Sequence, residues 1–513
     1  MIRVYPEHRR LVLPVRQDLV NLIPTAKVFD VQRTRMMAVP HTTEVVRLLR
    51  NLHLDAPAPI EHYYDWAGGN PFESQIRTAT LLSTSRRAYV LNEMGTGKTR
   101  SALFAFDFLR REGLVRRALI VAPLSTLVSV WENEIFENFS HLSCCVLHGS
   151  KTKRLKLLGV QADCYVINHD GVGVIKAALE SRTDIDCVIL DELAVYRNYR
   201  AERSKAVRQL VQRAAFAWGL TGQPTPNEPT DCYGQVRLLT PDRVSFSFKA
   251  FRESVMRQLT AFRWVPRPDA NDTVHKLMQP SIRATRAECL DLPPVTYSTR
   301  QVDLDAKAAP HYKKMMEELA VQVKGSAITA ANEGVKLSKL LQISAGFVYD
   351  GDGKGHYVGG LGRIKTVFEV LEQSEGKAIV FAPFKFLVEL FGSALGKRYS
   401  VDKITGDTPK GERDRIFTGF QRSPNPRILV AHPATMAHGL TLTAANTIIW
   451  VAPTTSLEIY EQANARITRP GQTEHAHIIH VQSTAAEGQV YNRLKRKAKM
   501  QGALLDLFQE NSP

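Results

Sequence analysis

Residues 92–99 read Asn92-Glu93-Met94-Gly95-Thr96-Gly97-Lys98-Thr99, between an apolar stretch at 88–91 and a helix-like one from Arg100 onward. A glycine turn ending in Lys-Thr at the start of a helix suits nucleotide phosphates, because backbone N–H groups there point at the anion. Gly95 and Gly97, with Thr96 between them, let the backbone close around the phosphates. Lys98 supplies a cation to the β- and γ-phosphates, and the Thr99 hydroxyl is placed to ligate Mg²⁺. The general pattern has a glycine where Asn92 stands, so the surroundings of the loop must decide.

A second group of chemistry-bearing residues is Val188-Ile189-Leu190-Asp191-Glu192, an apolar run ending in paired carboxylates. In an ATP hydrolase two acids have separate work. Asp191 would hold Mg²⁺, directly or through water, while Glu192 would polarise the water that attacks the γ-phosphate. An Asp-Glu pair at a strand end is common and says little alone. Joined to the loop, it points to ATP hydrolysis.

These residues need a sheet to position them. Apolar runs at 118–121, 164–167, 187–190 and 217–220 alternate with helix-like stretches, and each ends in a polar or turn-forming cluster. That pattern predicts a buried parallel sheet whose ligands gather at the carboxyl ends of the strands. A second series, at 378–381, 428–431, 448–451 and 477–480, predicts another α/β lobe. Residues 241–360 lose the strand rhythm and read as helical. The expected division is 1–65, a small N-terminal accessory domain; 66–240, the first lobe; 241–360, a helical intervening segment; and 361–513, the second lobe.

A chain of 513 residues with 44% apolar content is too hydrophobic for disorder. Its 67 Lys and Arg against 51 Asp and Glu give a formal charge of +16, which favours a polyanionic partner such as nucleic acid. The six cysteines show no C-x-x-C spacing, which suggests neither a zinc site nor a disulfide framework and fits a reducing compartment. The opening residues carry no apolar signal core, and no segment approaches the ~20 apolar residues that span a bilayer. A soluble protein in the cytoplasm of a bacterial cell or phage-infected host, with no membrane partner, is expected.

The motifs in this order resemble a superfamily 2 helicase, and more closely the Swi/Snf-type double-stranded DNA translocases, over about residues 71–500. The family's phosphate loop is Asp-Glu-Met-Gly-Leu-Gly-Lys-Thr, so Asn92 becomes a departure of Asn for Asp. Gln75 stands where the family carries an adenine-reading glutamine. Pro123-Leu124-Ser125-Thr126 resembles its strand-tracking segment, and Leu220-Thr221-Gly222-Gln223-Pro224 its coupling motif, with Gln223 for Thr. Ala194 replaces the His that follows the paired acids, which puts in doubt any coupling role of that side chain. In the second lobe Gly439-Leu440-Thr441-Leu442 is similar to a Gly-Leu-Asn-Leu stretch. Residues 462–472, with Arg466 and Arg469, match the arginine-finger motif. Arginines at i and i+3 would project from one helical face toward a phosphate held by the other lobe.

The resemblance implies two RecA-like α/β lobes, ATP and Mg²⁺ as cofactors, and DNA, duplex or branched, held by its backbone with little sequence specificity. The gripping loops would include Ser125, Thr126, His169, Lys385 and Thr435, since hydroxyls and backbone amides suit phosphate. The expected activity is an ATP-dependent translocase or helicase in replication, recombination or repair, complete enough in one chain for a monomer to work. An RNA helicase and a catalytically silent nucleic-acid scaffold are the alternatives; a metabolic P-loop enzyme would leave Arg466 and Arg469 unused. Residues 1–65 are weakly similar to N-terminal modules that help engage forked DNA, and a merely stabilising extension accounts for them as well.

Overall fold

The computed structural model describes the chain except residues 1, 32–33, 245–246, 261–262, 290–291, 319, 324–325, 330–332, 437–440 and 511–513; of 320–323, 326–329, 333 and 510 it describes the backbone alone. Two compact units result: Met1–Cys289 with Gln501–Pro513, and Leu290–Met500.

The first unit is built on a seven-stranded sheet. Its order is Ser281–Ile282, Arg87–Val90, Phe216–Leu220, Ile185–Asp191, Arg117–Ala122, Cys164–Asn168 and Cys144–Val146, all parallel. Each strand sends alternate residues to two different cores. Val90, Ile120, Val166, Ile189 and Trp218 enter one, and Tyr89, Val121, Tyr165, Val188 and Leu190 the other. Both faces are covered, so each strand reads as one continuous apolar run. The order also brings three chain turns together, because Leu220 pairs with Val90 on one side and with Asp191 on the other. The phosphate loop, the turn after Leu220 and the paired acids therefore leave the sheet side by side.

The second unit carries a six-stranded parallel sheet in the order Val295–Gln301, Ala476–Gln482, Ala445–Trp450, Lys377–Phe381, Ile428–Ala431 and Val401–Ile404. The strand series expected in each lobe is present. Residues 241–360 are shared between the units and are not helical throughout. Helices Phe248–Val255, Ala270–Leu277 and Ala309–Glu318 occur, but Ser281–Ile282 completes the first sheet and Val295–Gln301 the second. These strands escape a periodicity reading for physical reasons: the first has two residues, and the second is an edge strand, exposed along much of its length, with the polar sequence VTYSTRQ.

The N-terminal residues form an antiparallel sheet, Arg3–Tyr5, Arg10–Pro14, Thr34–Pro40 and Lys27–Val31 in spatial order, with helix Thr43–Asn51. The helix begins at a Thr42 cap that accepts the Val45 N–H, which satisfies one of its orphan donors. The module packs on the first unit's helix Glu73–Thr84, where Arg50 donates to Thr84 Oγ1 at 3.1 Å, and Arg9 pairs with Glu112 at 2.9 Å. Among the described residues no helix is long and apolar enough to cross a membrane.

Candidate nucleotide and nucleic-acid sites

Gly95 and Gly97 have φ of +87° and +78°, the left-handed region that glycine enters without strain. At Gly97 the requirement is doubled, since a Cβ there would lie 2.0 Å from Gln75 Nε2. The loop then opens helix Lys98–Arg111, whose first turn contains Thr99. Lys98 Nζ donates to the carbonyls of Asn92 (2.9 Å) and Glu93 (3.0 Å), and Thr96 Oγ1 to Glu93 O at 2.8 Å. Gln75 is buried beneath the loop with its Oε1 accepting the Phe72 N–H at 3.0 Å.

The departure at Asn92 has a local reason. Thr78 spends its hydroxyl proton on Ser74 O at 2.7 Å, so the same oxygen is left to accept, and the Asn92 amide donates to it at 2.9 Å. A carboxylate has no proton to give there. Glu93 is fixed too: Arg283 Nη2 lies 3.0 Å from its Oε1, and the Arg286 N–H and Nε donate to its Oε2 at 3.0 and 3.3 Å. Burial raises the Glu93 carboxyl, but the hydrogen bonds and charges of these two arginines outweigh it and hold the group below the ordinary range.

Asp191 ends its strand and accepts from Trp131 Nε1 (2.9 Å, on Oδ2) and from the Glu192 N–H (3.1 Å, on Oδ1). Burial pushes its carboxyl up, and the Trp131 hydrogen bond and the nearby Lys98 charge pull it back only in part. Glu192 sits at φ +52°, an uncommon conformation for a side-chain-bearing residue and the kind of strain that marks functional turns. Beside both runs the turn after Leu220, where a Cβ on Gly222 would meet Asn92 O at 3.4 Å and Lys98 Nζ at 3.9 Å. Lys98, Asp191 and Gly222 thus share one corner of the unit. A hydroxyl from Thr99 and a carboxylate from Asp191 are hard oxygen donors, a set that fits Mg²⁺, which takes one or two carboxylates and completes its shell with water and phosphate.

The expected DNA-facing residues are less uniform. Ser125 is exposed, but Thr126 is 6% exposed and its hydroxyl donates to Pro123 O at 3.0 Å. His169 is 7% exposed, with Nδ1 2.9 Å from the Tyr196 hydroxyl. Its imidazole faces the core, and the surface position passes to the neighbouring Asp170. Lys385 and Thr435 line a cavity of about 570 Å³ with Tyr349, Arg413 and His432. There Lys385 pairs with Asp407, and burial pushes His432 below its ordinary value. Sequence reasoning missed Arg413 and His432. Their signal was available: one follows the end of strand Ile428–Ala431, and the other lies in the first turn of the helix after Val401–Ile404. It also missed the contact of Trp131 with Asp191 and the pair Arg283 and Arg286 on Glu93, all between residues distant in sequence.

The arginine-finger residues depart from the helical face expected of them. Helix Leu457–Asn464 stops at a cap on Ala465, and Arg466 and Arg469 lie in the turn that follows, ahead of Pro470 and a Gly471 at φ +95°. Pro470 cannot prolong the helix. Arg466 is 1% exposed, whereas Arg469 is half-buried, with Nε 3.3 Å from Ala465 O and Nη1 3.4 Å from Thr441 Oγ1. Of the Gly439-Leu440-Thr441-Leu442 stretch, Gly439 and Leu440 fall outside the described residues.

A phosphate loop, paired acids at a neighbouring strand end and two parallel-sheet units of this kind define a helicase-type ATP hydrolase of superfamily 2. The chain belongs to the SNF2 family: the SNF2-related domain matches residues 75–345 and the helicase conserved C-terminal domain residues 362–471. It is accordingly an ATP-dependent DNA translocase of the Swi/Snf type. Putative protein p41 of Acyrthosiphon pisum secondary endosymbiont phage 1 is 25% identical over 450 residues, covering 83% of this chain and 95% of that protein. The DNA annealing helicase and endonuclease ZRANB3 of Bos taurus is 25% identical over 463 residues, 85% of this chain but 40% of that protein. This chain therefore spans about two-fifths of the annealing helicase. The Sulfolobus solfataricus SWI2/SNF2 ATPase core in complex with dsDNA is 21% identical, with a TM-score of 0.40 over 87% of this chain and 94% of that one.

Proposed function

We propose that this motor tracks the backbone of duplex or branched DNA, fuelled by Mg²⁺-ATP, in replication, recombination or repair. The observation that supports it best is the convergence of Lys98, Asp191 and the Gly222 turn at adjacent strand ends of the first unit. In this reading the Lys98 ammonium exchanges its two loop carbonyls for the β- and γ-phosphate oxygens, and the N–H groups from Gly95 to Thr99 close on the same anion. Thr99 and Asp191 hold Mg²⁺, which neutralises charge on the phosphates. Glu192 orients the attacking water, and Gln75, against Gly97, reads the base. Arg466 and Arg469 match the charge that develops on the transferring phosphoryl group.

Ser125, Thr126, Lys385 and Thr435, with Arg413 added, are assigned to phosphate contact; at Thr126 the hydroxyl and the N–H both donate to Pro123 O, and at Thr435 both donate to His432 O, so these two must exchange a loop carbonyl for the phosphate. For His169 the assignment is kept only to the backbone of its loop. Residues 1–65 form an accessory domain, with the motor in 66–240 and 361–513 and in the strands Ser281–Ile282 and Val295–Gln301 that the segment 241–360 lends to the two sheets. The protein works as a monomer in the cytoplasm of a bacterial cell or phage-infected host. Branched DNA is favoured over a plain duplex by the similarity to annealing helicases.

The test compares forked, linear duplex and single-stranded DNA, and RNA, as activators of ATP hydrolysis, with strand separation and annealing followed on the same substrates. Forked DNA is expected to activate most. Activation by RNA alone would replace this reading with an RNA helicase, and activation by nothing would leave a scaffold.

A further inference from the structure

The N-terminal sheet has one covered and one open face. Leu11, Leu13, Met37 and Val39 point to the covered face, where helix Thr43–Asn51 adds Val46 and Leu49. Period-two alternation sends the intervening residues the other way. The register sets Tyr5 beside Arg10, Arg3 beside Val12, Val12 beside Ala38 and Ala38 beside Lys27, then Pro14 beside Met36 and Met36 beside Phe29. The open face thus carries three cations, a floor of Val12, Met36 and Ala38, and one aromatic ring on each edge strand. Tyr5 and Phe29 are each 38% exposed. Among the described residues of the four strands no Asp or Glu stands on this face; Asp30 pairs with Arg35 on the other.

We propose that this open face binds single-stranded DNA, with Arg3, Arg10 and Lys27 on the phosphates and Tyr5 and Phe29 stacked on bases. The proposal rests on the DNA-motor reading above and supplies what that reading leaves open, a place for an unpaired arm. A strand spacing of ~4.8 Å and a rise of ~3.4 Å per residue put the two rings roughly 20 Å apart on the diagonal. The row of Arg3, Val12, Ala38 and Lys27 crosses between them, so a strand passing from ring to ring runs over Val12 and Ala38 with Arg3 on one side and Lys27 on the other. Two features decide the occupant. The absence of carboxylates among three cations selects a polyanion, and exposed rings on an apolar floor have a use only where bases are unstacked, which excludes intact duplex. Stacking of this kind is tolerant of sequence.

The test measures binding of fluorescent oligo-dT by the full-length chain across a salt series. Tyr5→Ala with Phe29→Ala should weaken binding about tenfold or more, while Tyr5→Phe with Phe29→Tyr, which keeps both rings, should bind as the unaltered chain does. Arg3→Ala, Arg10→Ala and Lys27→Ala together should flatten the slope of log affinity against log salt by roughly 2. If removing both rings lowers the melting temperature, the conservative swap and the salt slope decide. Unchanged oligo-dT affinity without the rings in a normally melting variant overturns the proposal, as does an unchanged salt slope. Tighter binding of oligo-rU than of oligo-dT overturns it for RNA, and a dimer that the substitutions dissociate overturns it for a second copy of the chain. Stimulation of the unaltered chain's ATPase by linear duplex is read in parallel. Stimulation without ring-dependent binding sinks this face alone, whereas no stimulation by any DNA sinks the motor reading.

Discussion

The two units share a parallel-sheet plan and differ in what stands at the carboxyl ends of their strands. In the first, the functional groups hold one another: Gln75 under Gly97, Lys98 on its own loop carbonyls, Trp131 on Asp191, and Arg283 with Arg286 on Glu93. In the second, Arg466 is enclosed and Arg469 lies on a turn beyond a helix end, with long hydrogen bonds to Ala465 O and Thr441 Oγ1 among its contacts. In the proposed reading the first unit holds the nucleotide, and the second contributes cations from a turn with no glycine loop of that kind among its described residues. The contrast predicts that nucleotide binding belongs to the first unit, and that the second changes rate more than affinity.

The sharpest way to break that division is at the loop. Lys98→Ala removes the cation at the β- and γ-phosphates and is expected to abolish ATP hydrolysis in a protein that still folds, since the hydrogen bonds it loses, to Asn92 O and Glu93 O, lie on the loop and not in either core. Glu192→Gln should bind Mg²⁺-ATP through Thr99 and Asp191 yet fail to turn it over. Near-normal hydrolysis by folded Lys98→Ala would remove the nucleotide seat from the first unit, and by Glu192→Gln would show that Glu192 is not the water-positioning acid. Next in size is Arg469→Ala, expected to lower DNA-stimulated hydrolysis by about 10³-fold or more while leaving nucleotide affinity, measured with a fluorescent ATP analogue, little changed. Full hydrolysis with weakened DNA binding would instead place Arg469 on the track.

This contrast also explains what was legible in the sequence. The first sheet's strands are covered on both faces, so their continuous apolar runs announce them, and the loop and acids follow at their ends. Cys144–Val146, Ser281–Ile282 and Val295–Gln301 stayed hidden, being too short or too polar to carry a period. The loop at Gly95–Thr99 was readable because phosphate binding is local backbone geometry. Trp131 and Arg283 were not, because each meets its partner only after the sheet brings distant turns together. The expected helical face for Arg466 and Arg469 failed for a local reason, Pro470 and Gly471 immediately beyond them. The resemblance puts His169 in a gripping loop, and nothing near it in sequence shows the Tyr196 hydroxyl, 27 residues away, that draws it inward.

A smaller effect should sharpen the first unit's side of the comparison. Trp131→Phe keeps an aromatic ring, though a smaller one, and removes the indole N–H from Asp191 Oδ2. That bond favours the ionised carboxylate against a burial that raises it, so its loss should push the group further up. Metal binding needs the deprotonated form, and the acid limb of ATP hydrolysis should therefore move to higher pH, with about tenfold more Mg²⁺ needed for half-activity. A profile that superimposes on the unaltered one would show that Trp131 only fills space.

The last expected effect leaves catalysis alone and concerns the second unit's stability. His480 lies inside it with Nε2 2.8 Å from the Tyr460 hydroxyl. Burial, helped by the charge of Lys495, lowers its pKa from 6.5 to about 4. The unfolded chain takes up this proton near pH 6.5 and the folded one only near pH 4, so between those values the unfolded state binds more protons. Stability contributed at neutral pH is lost as pH falls through that window, up to about 3 kcal/mol. His480→Asn keeps a polar partner for Tyr460 and does not titrate, so its melting temperature should fall less steeply between pH 6.5 and 4. The first unit's nucleotide affinity, followed over the same range, should be indifferent to the substitution. If both respond together, the second unit is coupled to the nucleotide seat even without turnover, and the division of labour drawn from the two sheets is too clean.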